Sequence, residues 1–371
     1  MEMVAGRKHG KNILFLSYRP NQGGVTTHIC NQINFLEKEF QIFLVEEAPE
    51  IVEKKLTDSA RENVCIRKIG LWTKRMKSYK KIIQFVKNRD ISLICLNNYV
   101  ILMIYLPIFL FLKFREGSRI FITHHSVILS YSKRRKLLEI AGGIASIFCD
   151  RIIYVSLYTK ACWENNYFWL RYKNSLVCHN LVRIPNVDKE KKMDRGNVKI
   201  GFIGRISNEK GIKLYCEIAK MIDDKNLIFN VYGEGDMLES ISLEYGQYVE
   251  IHGEVINTDS IYEDLDILLV TSPVENCPYS VLEAKSYGIP AIAPHVGGLP
   301  EIINSYYDGI LIKEKSLMKF RSAIYKCIEN YEDYYQNCLK SRDRYNIEKD
   351  SPPNLLNTTF GHIAKPTTQL W

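Results

Sequence analysis

Glu275 and Glu283 stand eight positions apart in Glu275-Asn-Cys-Pro-Tyr-Ser-Val-Leu-Glu283, directly after the apolar run 267–270. The order reads strand, loop, helix start, so the first acid sits at a strand's carboxyl end and the second about one turn into a helix. In an open parallel sheet that is where ligands bind. The first amides of a helix lack internal acceptors, so the N–H groups of Tyr279, Ser280 and Val281 can meet an anion. Two flanking carboxylates can then take hydroxyls on either side of it. A sugar nucleotide has this layout of sugar, diphosphate and ribose. For two isolated glutamates, first-turn acids favoured by the helix macrodipole would be explanation enough.

A second segment ends their isolation. Val198-Lys-Ile-Gly-Phe-Ile-Gly-Arg-Ile-Ser-Asn-Glu-Lys-Gly-Ile212 is again a strand, a glycine-bearing turn and a helix start, with Arg205 and Lys210 leaving the turn. Two fixed cations beside helix amides can stabilise a departing diphosphate without a divalent metal.

With Gly233-Glu-Gly235, His252-Gly253, Gly288-Ile-Pro290 and Gly297-Gly-Leu-Pro-Glu301, these segments resemble the carboxyl-terminal half of glycosyltransferase family 4 over about 180–304. The resemblance implies an α/β chain of the GT-B fold, two Rossmann-like parallel-sheet domains facing a central cleft. It implies a sugar transferred from a nucleotide diphosphate donor, UDP- or GDP-linked, with retention at the anomeric carbon and without metal or other cofactor. It gives Glu275 the donor sugar near the reacting face, Glu283 the ribose hydroxyls, and Arg205 and Lys210 the phosphates. Retention in that family is attributed to front-face attack, so Cys277 is not read as a nucleophile.

The amino-terminal half carries matching landmarks. A short buried strand, 12–16, precedes Asn21-Gln-Gly-Gly-Val-Thr-Thr-His28, where Gly23 and Gly24 let the backbone approach a ligand. In the family this loop lies against the donor phosphates and the acceptor. The strand Arg119-Ile-Phe-Ile-Thr-His-His-Ser126 aligns Thr123 and His125 with the family's Thr-x-His pattern, which sets His125 beside the donor sugar; a register one residue off would make it His124. Two places depart from the family. Asn276 and Cys277 replace the usual glycine and aromatic, and Val177-Cys-His-Asn-Leu-Val182 stands where many relatives have Pro-Asn-Gly. Neither departure removes a catalytic group.

Positioning these residues takes two units. The 371 residues suit two domains with real cores. Apolar runs at 12–16, 42–45, 93–96, 120–123 and 152–155 alternate with helical stretches in the first half, and 198–203, 227–232, 249–252, 267–270 and 291–293 do so in the second. That alternation argues for two parallel sheets flanked by helices. The expected division is 1–180 for the acceptor side, 181–340 for the donor side, and a tail, 341–371, that is a candidate to cross back to the first domain. The polar stretch 183–197, with Pro185, marks the boundary.

Charge is uneven: residues 1–180 hold 28 Lys and Arg against 14 Asp and Glu, and 181–371 hold 22 against 28. The basic half is the acceptor half. In 74–87, helical projection puts Met76, Tyr79, Ile83 and Val86 on one side and Lys77, Lys80, Lys81 and Lys87 on the other, either a solvated basic face or one drawn to anionic lipid. Lys133-Arg-Arg-Lys136 adds a second cluster. Tyr99 to Leu112 is uncharged for 14 residues and holds Pro107. A spanning helix needs about 20, so it reads as a buried or membrane-facing helix.

The ten cysteines form no CxxC and no ligand-like cluster with histidine, which points to a reducing compartment and away from structural zinc. No long apolar core follows the first charges, so no secretion signal is read. The expectation is a cytoplasmic protein, peripheral on the inner membrane's cytoplasmic face, extending a glycan or lipid-linked glycan of a bacterial surface polysaccharide. Its partners are a nucleotide sugar, the acceptor and an anionic membrane surface. A GT-B sugar-nucleotide epimerase and a non-catalytic membrane-associated partner are the alternatives. Nucleic acid is excluded because the basic half lacks aromatic-interleaved basic motifs.

Overall fold

The computed structural model describes residues 12–16, 23–46, 49–68, 75–87, 89–126, 133–186, 191–255 and 258–348. Asn21, Gln22, Lys74 and the tail beyond Glu348 lie outside the described residues, as do the side chains of Met76, Lys77 and 133–135. The chain divides into two compact units. One runs to Tyr154 and takes in Ala161–Cys178 and the stretch from Ile347; the other comprises Val155–Lys160 and His179–Asn346.

The first unit contains β1 (Asn12–Leu16), α1 (Gly24–Leu36), β2 (Gln41–Glu46), α2 (Pro49–Glu53), α3 (Asp58–Asn63), β3 (Cys65–Lys68) and α4 (Arg75–Lys87). It continues with β4 (Ile91–Leu96), α5 (Tyr99–Glu116), β5 (Arg119–His124), α6 (Lys133–Ala145), β6 (Arg151–Tyr154), α7 (Leu157–Asn166), whose first residues group with the second unit, and β7 (Ser175–Val177). Among the described residues the strands form a seven-stranded sheet ordered β3-β2-β1-β4-β5-β6-β7, paired in parallel throughout. Strands buried on both faces read as nearly continuous apolar runs, and β1 and β4 do so. Leu14, Leu16, Ile94 and Leu96 face the core under α4 and α5, while Ile13, Phe15, Leu93 and Cys95 face the core under α1.

The uncharged run becomes most of α5. Asn98 caps it, its side chain accepting from the Val100 N–H at 2.7 Å, and Gly117 ends it in the left-handed conformation. Ile101, Leu102, Tyr105, Ile108, Phe109 and Leu112 are buried. Among the described residues no helix is long and apolar enough to cross a membrane.

The second unit runs β8 (Val198–Ile203), α8 (Ile212–Ile222), β9 (Leu227–Tyr232), α9 (Leu238–Tyr245), β10 (Glu250–Gly253), α10 (Thr258–Asp264) and β11 (Ile267–Leu269). Then come α11 (Tyr279–Ser286), β12 (Ala291–Pro294), α12 (Leu299–Ile302), β13 (Gly309–Ile312), α13 (Leu317–Glu329) and α14 (Tyr331–Ser341). Its six-stranded parallel sheet is ordered β10-β9-β8-β11-β12-β13. Ile267 and Leu269 pack into one core and Leu268 into the other, so β11 too is covered on both faces.

In both sheets the strand order reverses once, between β1 and β4 in the first unit and between β8 and β11 in the second. Loops leaving the two strands at such a reversal run in opposite directions and leave a crevice at the strands' carboxyl ends. The residues singled out by their chemistry leave β1, β8 and β11 at this crevice, and His125 follows β5.

Candidate functional site

In the second unit the loops after β8 and β11 bring Lys210 to Glu275. Lys210 Nζ donates to Glu275 Oε1 at 2.6 Å, and Ser272 Oγ donates to the same oxygen at 2.8 Å. Glu275 is buried, and Lys210 is partly exposed. The two loops are tied by backbone as well. Thr271 Oγ1 donates to the Gly211 carbonyl at 2.8 Å, and a Cβ on Gly211, whose φ is +72°, would stand 2.2 Å from the Thr271 oxygen. Only glycine lets Lys210 be held this close to the loop that bears Glu275.

The Gly-Gly pair has the same use. Gly298 N–H donates to the Glu275 carbonyl at 2.8 Å, and a Cβ on Gly297 (φ +59°) would come within 1.8 Å of that oxygen. Glu275 is therefore fixed through its main chain from one side and its carboxylate from the other. Arg205 projects outward and makes no hydrogen bond or ion pair among the described residues. A cation held near the site without an anionic partner is available to an anionic ligand.

Pro278 precedes α11, and no side chain caps that helix's amino end. Its opening residues Tyr279, Ser280 and Val281 thus carry the amides that lack intrahelical acceptors. Glu283 follows, half-buried, and accepts at Oε2 from the Tyr262 hydroxyl at 2.7 Å. Burial first, and then the neighbouring Glu283 charge, pushes the Tyr262 phenol well above its ordinary value, so it stays a donor. Sequence reasoning missed Tyr262, since it lies on α10, 21 positions from Glu283, with no local motif.

The glutamate that ends the Gly-Gly-Leu-Pro-Glu motif serves structure. Glu301 accepts from the Leu157 N–H at Oε2 (2.7 Å) and from the Tyr158 N–H at Oε1 (2.9 Å), capping the start of α7, and His179 Nε2 lies 3.0 Å from Oε2. Burial raises this carboxyl, but the His179 and backbone hydrogen bonds outweigh it and leave it below the usual value. Cys277 is buried; its Sγ accepts from the Asn180 N–H at 3.3 Å and its carbonyl accepts from the Asn180 side chain at 2.6 Å. It pins Asn180 to the loop of Glu275. Behind α11, Lys285 and Asp308 form a buried pair at 2.8 Å, with Ser341 Oγ donating to Asp308 at 3.0 Å.

In the first unit Gly23 caps α1 in an extended conformation (φ −82°) and Gly24 opens the helix. His28, on α1, is buried with its ring edge-on to His125 at 4.5 Å between centroids. His125 Nε2 lies 3.0 Å from Asn97 Oδ1, an acceptor, so in this arrangement the ring's proton is on Nε2. Burial, reinforced by His28 and His124, holds His125 well below the ordinary imidazole value and therefore neutral. The structure thus gathers His28, Asn97 and His125 at the ends of β1, β4 and β5. His28 and Asn97 were missed as site residues, although Asn97 directly follows the strand read at 93–96 and His28 ends the glycine-bearing segment read at 21–28.

His124 has a different environment. It stacks on Trp163 at 3.9 Å and on Tyr154 at 5.7 Å, and burial alone lowers its pKa to about 3. That is a core histidine, whereas His125 is only partly buried. An open concavity of about 990 Å³ in the second unit, lined by His295, Tyr306, Lys319, Lys326 and Arg344, includes none of Arg205, Lys210, Glu275 or Glu283.

Residues 184–344 match the family model of the glycosyl transferases group 1. The whole chain has the GT-B fold: it superposes on Anabaena HepE in complex with UDP-glucose with a TM-score of 0.77, at 16% identity, over 94% of this chain and all of that one. Among curated proteins it is similar to the O-antigen biosynthesis glycosyltransferase WbnH of Escherichia coli, 26% identical over 219 residues, which are 56% of this chain and 62% of that protein. It also resembles the Escherichia coli UDP-Gal:alpha-D-GlcNAc-diphosphoundecaprenol alpha-1,3-galactosyltransferase, at 23% identity over 37% of this chain and 38% of the other. The chain thus spans less than two thirds of the length of these curated relatives in its matches.

Proposed function

We propose that this chain is a retaining glycosyltransferase of the family 4 type, which moves a hexose-type sugar from a UDP- or GDP-linked donor to a saccharide or lipid-linked saccharide. The setting proposed is bacterial surface polysaccharide synthesis at the cytoplasmic face of the inner membrane. The observation that carries this reading is the Lys210–Glu275 pair held at the second unit's strand reversal, with Arg205 exposed on the same loop as Lys210. The group 1 family match and the O-antigen relatives support it.

In the reaction, the bond from the anomeric carbon to the diphosphate breaks as the acceptor oxygen bonds to that carbon on the same face. The leaving phosphate takes the acceptor's proton. Arg205, Lys210 and the amides of Tyr279, Ser280 and Val281 stabilise the negative charge growing on the diphosphate, a preorganised electrostatic role. Glu275 holds sugar hydroxyls, and Glu283 receives those of the ribose. His125, neutral, offers a hydrogen bond to a sugar hydroxyl, and the Gly23-Gly24 backbone passes close to the phosphates. With two cations on the diphosphate, the reaction needs no divalent metal.

The test is a panel of UDP- and GDP-sugars scored by thermal shift and slow donor hydrolysis on wild type and Glu283→Ala. One sugar nucleotide is expected to stabilise wild type, to lose that effect in the variant and to be hydrolysed with or without chelator. Arg205→Ala and Lys210→Ala are expected to lower turnover about 100-fold or more while weakening donor binding far less. Failure of every nucleotide sugar to bind, or strict dependence on added divalent metal, overturns the assignment.

A further inference from the structure

Helices flanking a parallel sheet normally turn one apolar face to the sheet and a polar face to water. Helix α5 does not. Its inner residues Ile101, Tyr105, Ile108 and Leu112 are buried, yet its outward residues Pro107, Phe111 and Phe114, with the partly buried Leu110, are apolar as well. Phe111 is 39% exposed and Phe114 78% exposed.

The apolar surface continues beside α5. Lys113 Nζ bonds the Phe148 carbonyl at 3.0 Å, which brings the turn after α6 alongside, and there Ile144, Ile147 and Phe148 are 47%, 37% and 41% exposed. On the other flank the Tyr79 hydroxyl donates to the Ile104 carbonyl, so α4 lies next to α5. The described outer residues of α4 include the exposed Lys80, Lys81 and Lys87, and Arg115 spreads its guanidinium 6.0 Å from the Phe111 ring.

We propose that this face is the surface by which the protein lies on an anionic lipid bilayer. Phe111, Phe114 and Phe148 enter the headgroup boundary, and Lys80, Lys81, Lys87 and Arg115 meet lipid phosphates. The inference deepens the lipid-linked acceptor reading above. Charge selects the occupant: residues 75–145 hold thirteen Lys and Arg against three Asp and Glu, a surplus of ten. A second copy docked by the same face would set that surplus against itself, whereas anionic lipid complements it. Exposed aromatics with flanking cations on a helix too short to span are the composition of an interfacial element.

The experiment is co-sedimentation of the full chain with phosphatidylcholine vesicles, with and without phosphatidylglycerol, at low and high salt. Phosphatidylglycerol is expected to drive binding. Lys80→Gln/Lys81→Gln should weaken it about 25-fold at low salt, near fivefold per charge. Phe111→Ser/Phe114→Ser should weaken it about tenfold or more at both salt concentrations. Both variants alter exposed side chains, so their thermal midpoints should stay at the wild-type value. Indifference to phosphatidylglycerol, or equal partition of wild type and both variants, overturns the inference. So does a wild-type dimer, seen by analytical ultracentrifugation, that the Phe substitutions dissolve while vesicle binding stays unchanged. Donor hydrolysis measured in parallel separates the two readings: a wild type that hydrolyses donor but binds no vesicle sinks this inference alone, and a wild type that binds vesicles but neither binds nor hydrolyses any nucleotide sugar sinks the transferase.

Discussion

Replacing Gly297 by alanine tests whether the Gly-Gly turn is what holds Glu275. Two costs add at this position. A left-handed backbone (φ +59°) disfavours any Cβ by about 1–2 kcal/mol. The new methyl would also stand 1.8 Å from the Glu275 carbonyl, so that strand-end loop must move and the 2.8 Å bond from Gly298 N–H must break. A buried acceptor left unmet adds roughly 1–3 kcal/mol, and the stiffer unfolded chain returns about 0.4–1 kcal/mol. The net loss is about 2–4 kcal/mol, which for a unit of this size lowers the midpoint by roughly 4–16 °C.

Gly117→Ala is the control. Its φ is +72°, and a Cβ there meets nothing within 4 Å, so it carries the backbone cost without the clash. Thermal unfolding of both variants should show the larger drop for Gly297→Ala. Donor turnover should fall about 100-fold in that variant alone, the scale of a reacting group displaced by about 1 Å. Equal midpoint losses with undiminished turnover in both would mean that the turn yields and does not position Glu275.

Tyr262→Phe removes the hydroxyl that donates to Glu283 Oε2 while keeping the ring; nucleotide affinity should fall about 5- to 100-fold by calorimetry, with little change in kcat at saturation. The histidines should separate cleanly. His124→Ala, which empties the slot against Trp163, should lower the thermal midpoint, whereas His125→Ala should lower turnover with the midpoint nearly kept; the reverse pattern would move the site register by one residue. Glu301 is lowered in the folded state relative to its unfolded value, so the stability it contributes is complete above about pH 4.5 and is lost as pH falls through the folded value. Glu301→Gln should therefore flatten the acid limb of a stability profile, and an unchanged limb would contradict the assignment.

Much of this architecture is written in apolar runs. All ten strands read from alternation are present, within two residues at either end, most of them because strands covered on both faces need runs of Ile, Leu, Val and Phe, with the edge strand β10, Glu-Ile-His-Gly, as the exception. The three strands missed among the described residues are short or open on a polar or small residue. β3 is Cys-Ile-Arg-Lys with two exposed residues at the sheet's edge, β7 is three residues long, and β13 opens on a glycine. The site divides the same way. Glu275, Glu283, Arg205 and Lys210 follow strands directly and could be found locally. Tyr262, Asn97 and the His28–His125 contact are products of strand order, which no local window contains. The basic face of α4 was legible, but the apolar outer stripe of α5 was not, since a sequence run cannot say which side of a helix the sheet will take.

The buried Lys285–Asp308 pair has a consequence for how the protein is made. Lys285 lies two residues beyond Glu283 on α11, and its charge is met by Asp308, the Ile302 carbonyl at 2.5 Å and, through Asp308, Ser341. Arg342 reaches back to the Ser286 carbonyl at 2.8 Å, and the Tyr345 hydroxyl bonds the Glu301 carbonyl at 3.2 Å. A ribosome delivers these partners last. Lys285 meets Asp308 as soon as residue 308 is made, but until residues 341–345 have emerged Asp308 lacks its Ser341 donor and the Ser286 and Glu301 carbonyls lack Arg342 and Tyr345. The second unit therefore completes this buried network only near the end of its synthesis, and a chain cut short before Ser341 should be the more readily proteolysed for lacking it.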